Sequence, residues 1–198
     1  MSLLFESIKL LDGELYNLNY HIIRMFKSQD MLFNFSNKEH LNNIISNRNL
    51  PTIGLYKCKV YYSEVITKIE VSKYKFREIN SLKLIHNNEI DYSLKYSDRK
   101  LLNNLFDKKN NCDDVLIIKD GFVTDTSYSN IIFKINNYWI TPNTPLLKGT
   151  CRERLISEKM IFTDEIKLGD LKKYSSFKLI NSMNDFNDSK EINVENIF

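Results

Sequence analysis

Glycine and proline are scarce in this 198-residue chain, at five and three copies. Five glycines argue against a phosphate-cradling loop or a dinucleotide fingerprint, both of which concentrate glycine in one short stretch. Cysteine occurs only at positions 58, 112 and 151. There is no C-x-x-C pair and the count is odd, which fits a reducing compartment better than a disulfide scaffold. The three histidines, at 21, 40 and 86, lack metal-ligand spacing. No apolar run approaches the roughly 20 residues that span a bilayer. The opening Met-Ser-Leu-Leu-Phe-Glu-Ser has neither the basic start nor the apolar core of a secretory signal. The expectation is a cytoplasmic protein with no membrane partner. Net charge is only +3, and the lysines are scattered without a basic stripe, so no nucleic-acid partner is expected.

What is present suits a packed globular chain. Hydrophobic residues make up 42% and charged residues 27%, with twelve Phe and eleven Tyr. That supplies a core for one large or two small domains.

Residues 4–10 read as a strand, Asp12-Gly13 as a tight turn, and residues 14–18 as the returning strand. A helix is expected from Asn19, with Ile22, Ile23, Phe26, Met31 and Leu32 as its apolar face. Ser36 can cap a second helix that buries Leu41, Ile44 and Ile45, and Pro51 ends it. Strands follow over 52–63, 64–76 and 79–86, so the N-terminal half reads as a small sheet with two helices. The polar stretch 87–93 is the expected linker. Beyond it come a helix capped by Ser97 or Asp98 and a strand at 115–118. Asp120-Gly121 then marks a turn before strands at 122–125, 130–135 and 138–141. A helix at 152–160, a short one at 168–172 and a strand at 176–182 complete the pattern. Strand runs beside separate helices indicate an α+β class, with lobes over 1–87 and 88–198.

The chemistry concentrates in two segments. Gly121-Phe-Val-Thr-Asp-Thr-Ser-Tyr-Ser-Asn130 carries one acid, Asp125, on a strand, followed by a small polar turn and Asn130. Thr141-Pro-Asn-Thr-Pro-Leu-Leu-Lys-Gly-Thr-Cys-Arg152 ends at a helix start, where backbone N–H groups favour an anion. With Lys95 upstream, these supply an amine, an acid and an anion site.

Five short motifs resemble, in order, those of the class IV aminotransferases, the fold-type IV pyridoxal phosphate (PLP) enzymes. They are Phe5-Glu-Ser-Ile-Lys-Leu-Leu-Asp-Gly13, Tyr20-His-Ile-Ile-Arg24, Lys95-Tyr-Ser-Asp-Arg99, Asp125 with Asn130, and Leu147-Lys-Gly-Thr-Cys-Arg152. The resemblance covers nearly the whole chain. It implies a two-lobed α+β fold with PLP in the cleft, and a homodimer. By this resemblance Lys95 is the Schiff-base lysine and base, and Asp125 faces the pyridine nitrogen. Asp125 stands where Glu is commoner and is one methylene shorter. Arg24 would bind the phosphate, with Gly149, Thr150 and Cys151 at the helix start. Cys151 replaces the family's usual Thr, and a thiol is a poorer donor. Asn130 completes the acid's motif, and Asn181 and Ser182 resemble a second phosphate-side turn. Relatives usually begin about twenty-five residues earlier, so the expectation is either a short branch of the family or a site with one wall absent or supplied by the dimer partner.

The implied reaction is the 4-amino-4-deoxychorismate lyase reaction, releasing pyruvate and 4-aminobenzoate for folate synthesis. The compact length and the Lys95-Tyr-Ser-Asp-Arg99 segment are closer to that branch. Lys100 stands where branched-chain enzymes tend to carry Tyr. The alternatives are a branched-chain or D-amino-acid aminotransferase acting on a small amino acid, and a degenerate relative that does not catalyse.

Overall fold

A computed structural model describes residues 3–34 and 49–198. The expected helix capped by Ser36 and ended by Pro51 lies, up to residue 48, outside the described residues. The chain forms two compact units. The first takes Met1–Phe76 and Leu94–Asp98, and the second takes Arg77–Ser93 and Arg99–Phe198. This differs from the expected boundary at 87/88, for a reason that lies in strand pairing.

In the first unit β1 (Leu4–Leu11), β2 (Glu14–Leu15), β3 (Leu55–Tyr62) and β4 (Ile66–Lys73) form an antiparallel sheet of order β2-β1-β3-β4. The β1–β2 turn uses Asp12 and Gly13, both at positive φ (48° and 88°). That is the primed-turn geometry whose twist matches a hairpin. β1 runs against β3 from Leu4↔Tyr62 to Leu11↔Leu55. Helix α1 (Leu18–Phe33) packs on the face bearing Leu4, Ile8, Cys58, Val60 and Tyr62. The segment Leu94–Asp98 returns to this sheet. Leu4 bridges Tyr96, Phe5 N–H donates to the Lys95 carbonyl at 3.0 Å, and Ser97 N–H donates to the Leu3 carbonyl at 2.8 Å.

The buried side of α1 is not the expected one. It buries His21, Met25, Ser28 and Gln29, while Ile23, Met31 and Leu32 are exposed. The cause is polar. β1 buries Glu6 completely, and His21 turns toward it. Gln29 Nε2 donates to the carbonyls of Ser63 (2.9 Å) and Glu64 (2.8 Å) at the β3–β4 turn.

In the second unit β5 (Leu82–His86) pairs in parallel with β6 (Asp114–Lys119). The expected N-terminal sheet therefore loses its third strand. A parallel pair needs a long crossover, which here includes α2 (Lys100–Phe106). The cap expected at Ser97 or Asp98 falls one residue later, at Arg99. The sheet continues through β7 (Phe122–Thr126), β8 (Asn130–Ile135), β9 (Tyr138–Pro142) and β10 (Phe162–Asp164). The sheet order is β10-β9-β8-β7-β6-β5. β11 (Ser176–Ile180) pairs with β8 and with β12 (Ile192–Asn193). Helix α3 (Thr150–Ser157) starts two residues before the expected helix. Leu116, Ile118, Val123, Ile131, Phe133 and Phe177 centre the core.

Candidate active site

Asp125 sits near the end of β7, in register with Asn130 at the start of β8. The spacing of five residues leaves a tight turn between them, so both side chains emerge together. Asn130 Nδ2 donates to Asp125 Oδ1 at 2.7 Å and to the Leu147 carbonyl at 2.8 Å. Leu147 N–H donates to Asp125 Oδ2 at 2.9 Å. Asn130 therefore ties the acid to the loop that leads into α3.

The carboxyl of Asp125 is 5% exposed. Burial pushes its pKa up to about 6, although the Leu147 N–H, the Asn130 amide and the charge of Arg152 each pull it down.

Gly149 precedes α3 and has an ordinary φ of −67°. Its small size is required by contact. A Cβ there would lie 2.0 Å from Asn130 Oδ1. The first-turn N–H groups of α3 belong to Thr150, Cys151 and Arg152, the end at which a helix favours an anion. Arg152 is 4% exposed. Its Nη2 donates to the Pro142 carbonyl at 2.8 Å and its Nε to Thr141 Oγ1 at 3.3 Å, which locks the helix start to β9.

The Cys151 thiol faces inward. It is 1% exposed and donates to Asp185 Oδ1 at 3.5 Å. Burial and Asp185 push its pKa up to about 12. Only its backbone N–H belongs with an anion site. The Asn181 side chain shapes its own turn. Its Oδ1 accepts from the Met183 and Asn184 N–H groups at 2.8 and 3.0 Å, and its Nδ2 donates to Ser129 Oγ at 2.9 Å. Ser182 is half-buried on that turn. The structure thus brings Asp125, Asn130 and Gly149 together, and ties Asn181 to the turn that joins β7 to β8.

Lys95 and Arg24 belong to the first unit. Lys95 is half-buried, and its Nζ lies 5.0 Å from the centroid of the Phe5 ring. Arg24 lies on α1 and clasps Glu6. Its Nε donates to Glu6 Oε1 at 2.9 Å and its Nη2 donates to Glu6 Oε2. His21 Nδ1 also bonds Glu6 Oε2, at 2.6 Å. Burial alone would raise the Glu6 pKa, but the Arg24 charge and the His21 bond outweigh it and bring it down to about 2. Burial pushes His21 below its usual range, against the pull of Glu6. The charge of Lys95 also reaches His21 and disfavours its protonation.

Three contributors were not singled out from the sequence as site residues. The Leu147 N–H is backbone and carries no residue signal. Glu6 was visible only as part of a motif. Arg99 was also read as a motif residue. Its Nη2 donates to the Ser127 carbonyl at 2.6 Å and its guanidinium stacks 4.4 Å from the Tyr128 ring, which steadies the turn after Asp125.

The family described as Amino-transferase class IV matches residues 93–188. A solved structure from Haemophilus somnus 129PT, of a "putative 4-amino-4-deoxychorismate lyase", is 38% identical with a TM-score of 0.89. The match covers 94% of this chain and 98% of that one. The chain belongs to the class IV aminotransferase family. An uncharacterized protein of Haemophilus influenzae is 37% identical over 184 residues, covering 91% of this chain and 97% of its own. The PLP-bound form of a hypothetical aminotransferase from Mycobacterium tuberculosis is 15% identical, with a TM-score of 0.74 over 96% of this chain and 80% of its own. That likeness is one of fold. The fold is the fold-type IV architecture that the sequence motifs imply.

The family implies pyridoxal phosphate, and each unit by itself carries groups that suit it. In the first unit Lys95 supplies a primary amine; in the second, Asp125 supplies a buried carboxyl pinned on two sides, and the start of α3 is a helix end whose entry only glycine allows. Cys151 is the exception, since its thiol is turned to Asp185.

Proposed function

We propose that this member of the class IV aminotransferase family is a PLP-dependent 4-amino-4-deoxychorismate lyase, releasing pyruvate and 4-aminobenzoate. The observation that carries the reading is the Asp125 cradle: a buried acid held by Asn130 and the Leu147 N–H. The 38% identity to the Haemophilus somnus protein favours the lyase branch.

Pyridoxal phosphate, when bound, supplies an electron sink for charge developing beside the substrate amine. The protein's residues do the rest. Lys95 would hold the group through Nζ and, once released, would take up the proton beside the substrate amine at that atom. Asp125 would face the ring nitrogen, with Asn130 fixing the carboxylate in place. The N–H groups of Thr150 and Cys151, beside Gly149, would receive the phosphate, and Arg24 would add a charge whose direction Glu6 sets. Ser182 and Asn181 form a second phosphate-side turn, with Asn181 acting as the turn's brace. The reading includes a homodimer, as the family resemblance implies, and the cytoplasmic location expected from the sequence.

The test is a spectrum of the purified protein with added PLP, then borohydride reduction and peptide mapping. A reduced adduct on Lys95, lost in Lys95→Ala, is expected. Pyruvate should then form from aminodeoxychorismate. An adduct on another lysine would refute the role of Lys95. Amino-group exchange without pyruvate would move the protein to the aminotransferase branch.

A further inference from the structure

Side chains alternate between the faces of a strand. Glu6 and Ile8 of β1 therefore point toward α1, while Phe5, Ser7 and Lys9 lie on the other face. In register across β3, Tyr61 stands opposite Phe5 and Lys59 opposite Ser7. The Phe5 ring, 6% exposed, has two ammonium groups against it. Lys59 Nζ is 4.4 Å from its centroid and Lys95 Nζ is 5.0 Å from it. Lys59 is also 4.5 Å from the Tyr61 ring. Two cations sharing one ring are no more than roughly 10 Å apart, about one Debye length at physiological salt.

We propose that Lys59 is a positioning residue for Lys95: held against the same ring, its charge disfavours the ammonium form of Lys95 and keeps more of it as reactive amine. A second cation beside a nucleophilic lysine is one of the few ways to activate it near neutral pH. The significance for cofactor capture rests on the role proposed for Lys95, but the electrostatic effect does not.

On the α1 side Glu6 and Arg24 form a pair of zero net charge, and burial disfavours charge on His21. On β4 Glu70 stands opposite Lys59 in register; it is ion-paired with Lys68 at 2.5 Å and also feels the charge of Lys59. Lys9 and Lys57 lie on the same face, over the rings of Tyr16 and Tyr74, and add positive charge. On the segment of Lys95 itself, Asp98 is an exposed acid at its far end.

The test uses the purified protein without cofactor. Trace acetylation of its amines is measured across pH and mapped by peptide, which gives a titration midpoint for Lys95. In Lys59→Gln the midpoint should rise by about 0.3–1.2 pH units, as Coulomb's law gives at roughly 10 Å and an effective dielectric between 80 and 20. Lys59→Arg should keep the native midpoint, and 1 M salt should shrink the difference. Lys68→Gln serves as the control for a charge on the same face that is already paired, and should shift Lys95 less than Lys59→Gln does. An unchanged midpoint in Lys59→Gln would overturn the proposal. So would an equal shift in Lys59→Arg, because that reports altered packing and not charge. If borohydride fixed the cofactor elsewhere while Lys59→Gln still moved Lys95, the function proposed above would fall and the coupling would stand.

Discussion

Gly149 shows how one missing methyl group decides the candidate site. Its backbone is ordinary, so the constraint is space: Asn130 Oδ1 occupies the position a Cβ would take. Asn130 cannot step aside cheaply, since its amide holds both Asp125 and the Leu147 carbonyl. Gly149→Ala should therefore cost about 2–4 kcal/mol, the range for overpacking plus broken buried hydrogen bonds. It should also raise the Asp125 pKa above 6, because the Asn130 bond is one of the forces holding it down. Denaturant melts and NMR titration of the Asp125 carboxyl check this; an unchanged titration would mean that Asn130 does not govern the acid. At this scale the sequence was informative where spacing decides. An acid and an amide five residues apart across a tight turn must face each other. It was silent where orientation decides. Nothing in Gly-Thr-Cys-Arg tells that the Cys151 thiol turns inward to Asp185, and the Leu147 N–H is backbone.

Helix α1 carries the clearest failure of apolar periodicity, and its cause is the strand beneath it. A strand that buries a carboxylate obliges the covering helix to supply a cation and a hydrogen bond, and Arg24 and His21 do so. Polar residues then face inward at helical spacing, and Ile23 and Met31 are left outside. Reading β1 and α1 separately could not reveal this, because the partner is nonlocal. The misassigned β5 has the same origin. A short apolar strand shows that it is buried, not which sheet it joins. The coupling within the cluster is measurable. Glu6→Gln should cost about 3–5 kcal/mol, since it removes the buried carboxylate from its ion pair with Arg24. Arg24→Met should cost a comparable amount by removing the cation that does most to hold the buried Glu6 ionised. The double variant should cost clearly less than the two losses added. Strict additivity in denaturant melts of the three variants would show that α1 is not held by this pair.

For the molecule as a whole, the two units bury their ionisable groups in opposite senses, so pH should act on them oppositely. In the first unit His21 is held below its usual pKa. The unfolded chain therefore takes its proton first, and stability falls as pH drops below about 6.5. Glu6 is held at about 2. Its contribution is complete above the ordinary carboxylate range and is lost as pH falls from about 4.5 toward 2. In the second unit Asp125 is raised to about 6, and burial raises Asp114 as well. There the native state binds protons more readily than the unfolded chain. The cost of burying the charge is full above pH 6 and is relieved as pH falls toward 4. For Asp125 alone this amounts to about 2–3 kcal/mol. Amide exchange, corrected for its intrinsic pH dependence, reads each sheet separately. Between pH 7.5 and 5 protection should rise at β8 and β11, while β3 holds or declines. Below pH 4.5 the decline at β3 should steepen as Glu6 begins to protonate in the unfolded chain. Parallel change in both sheets across this range would show that these buried groups do not set the stability of their own units.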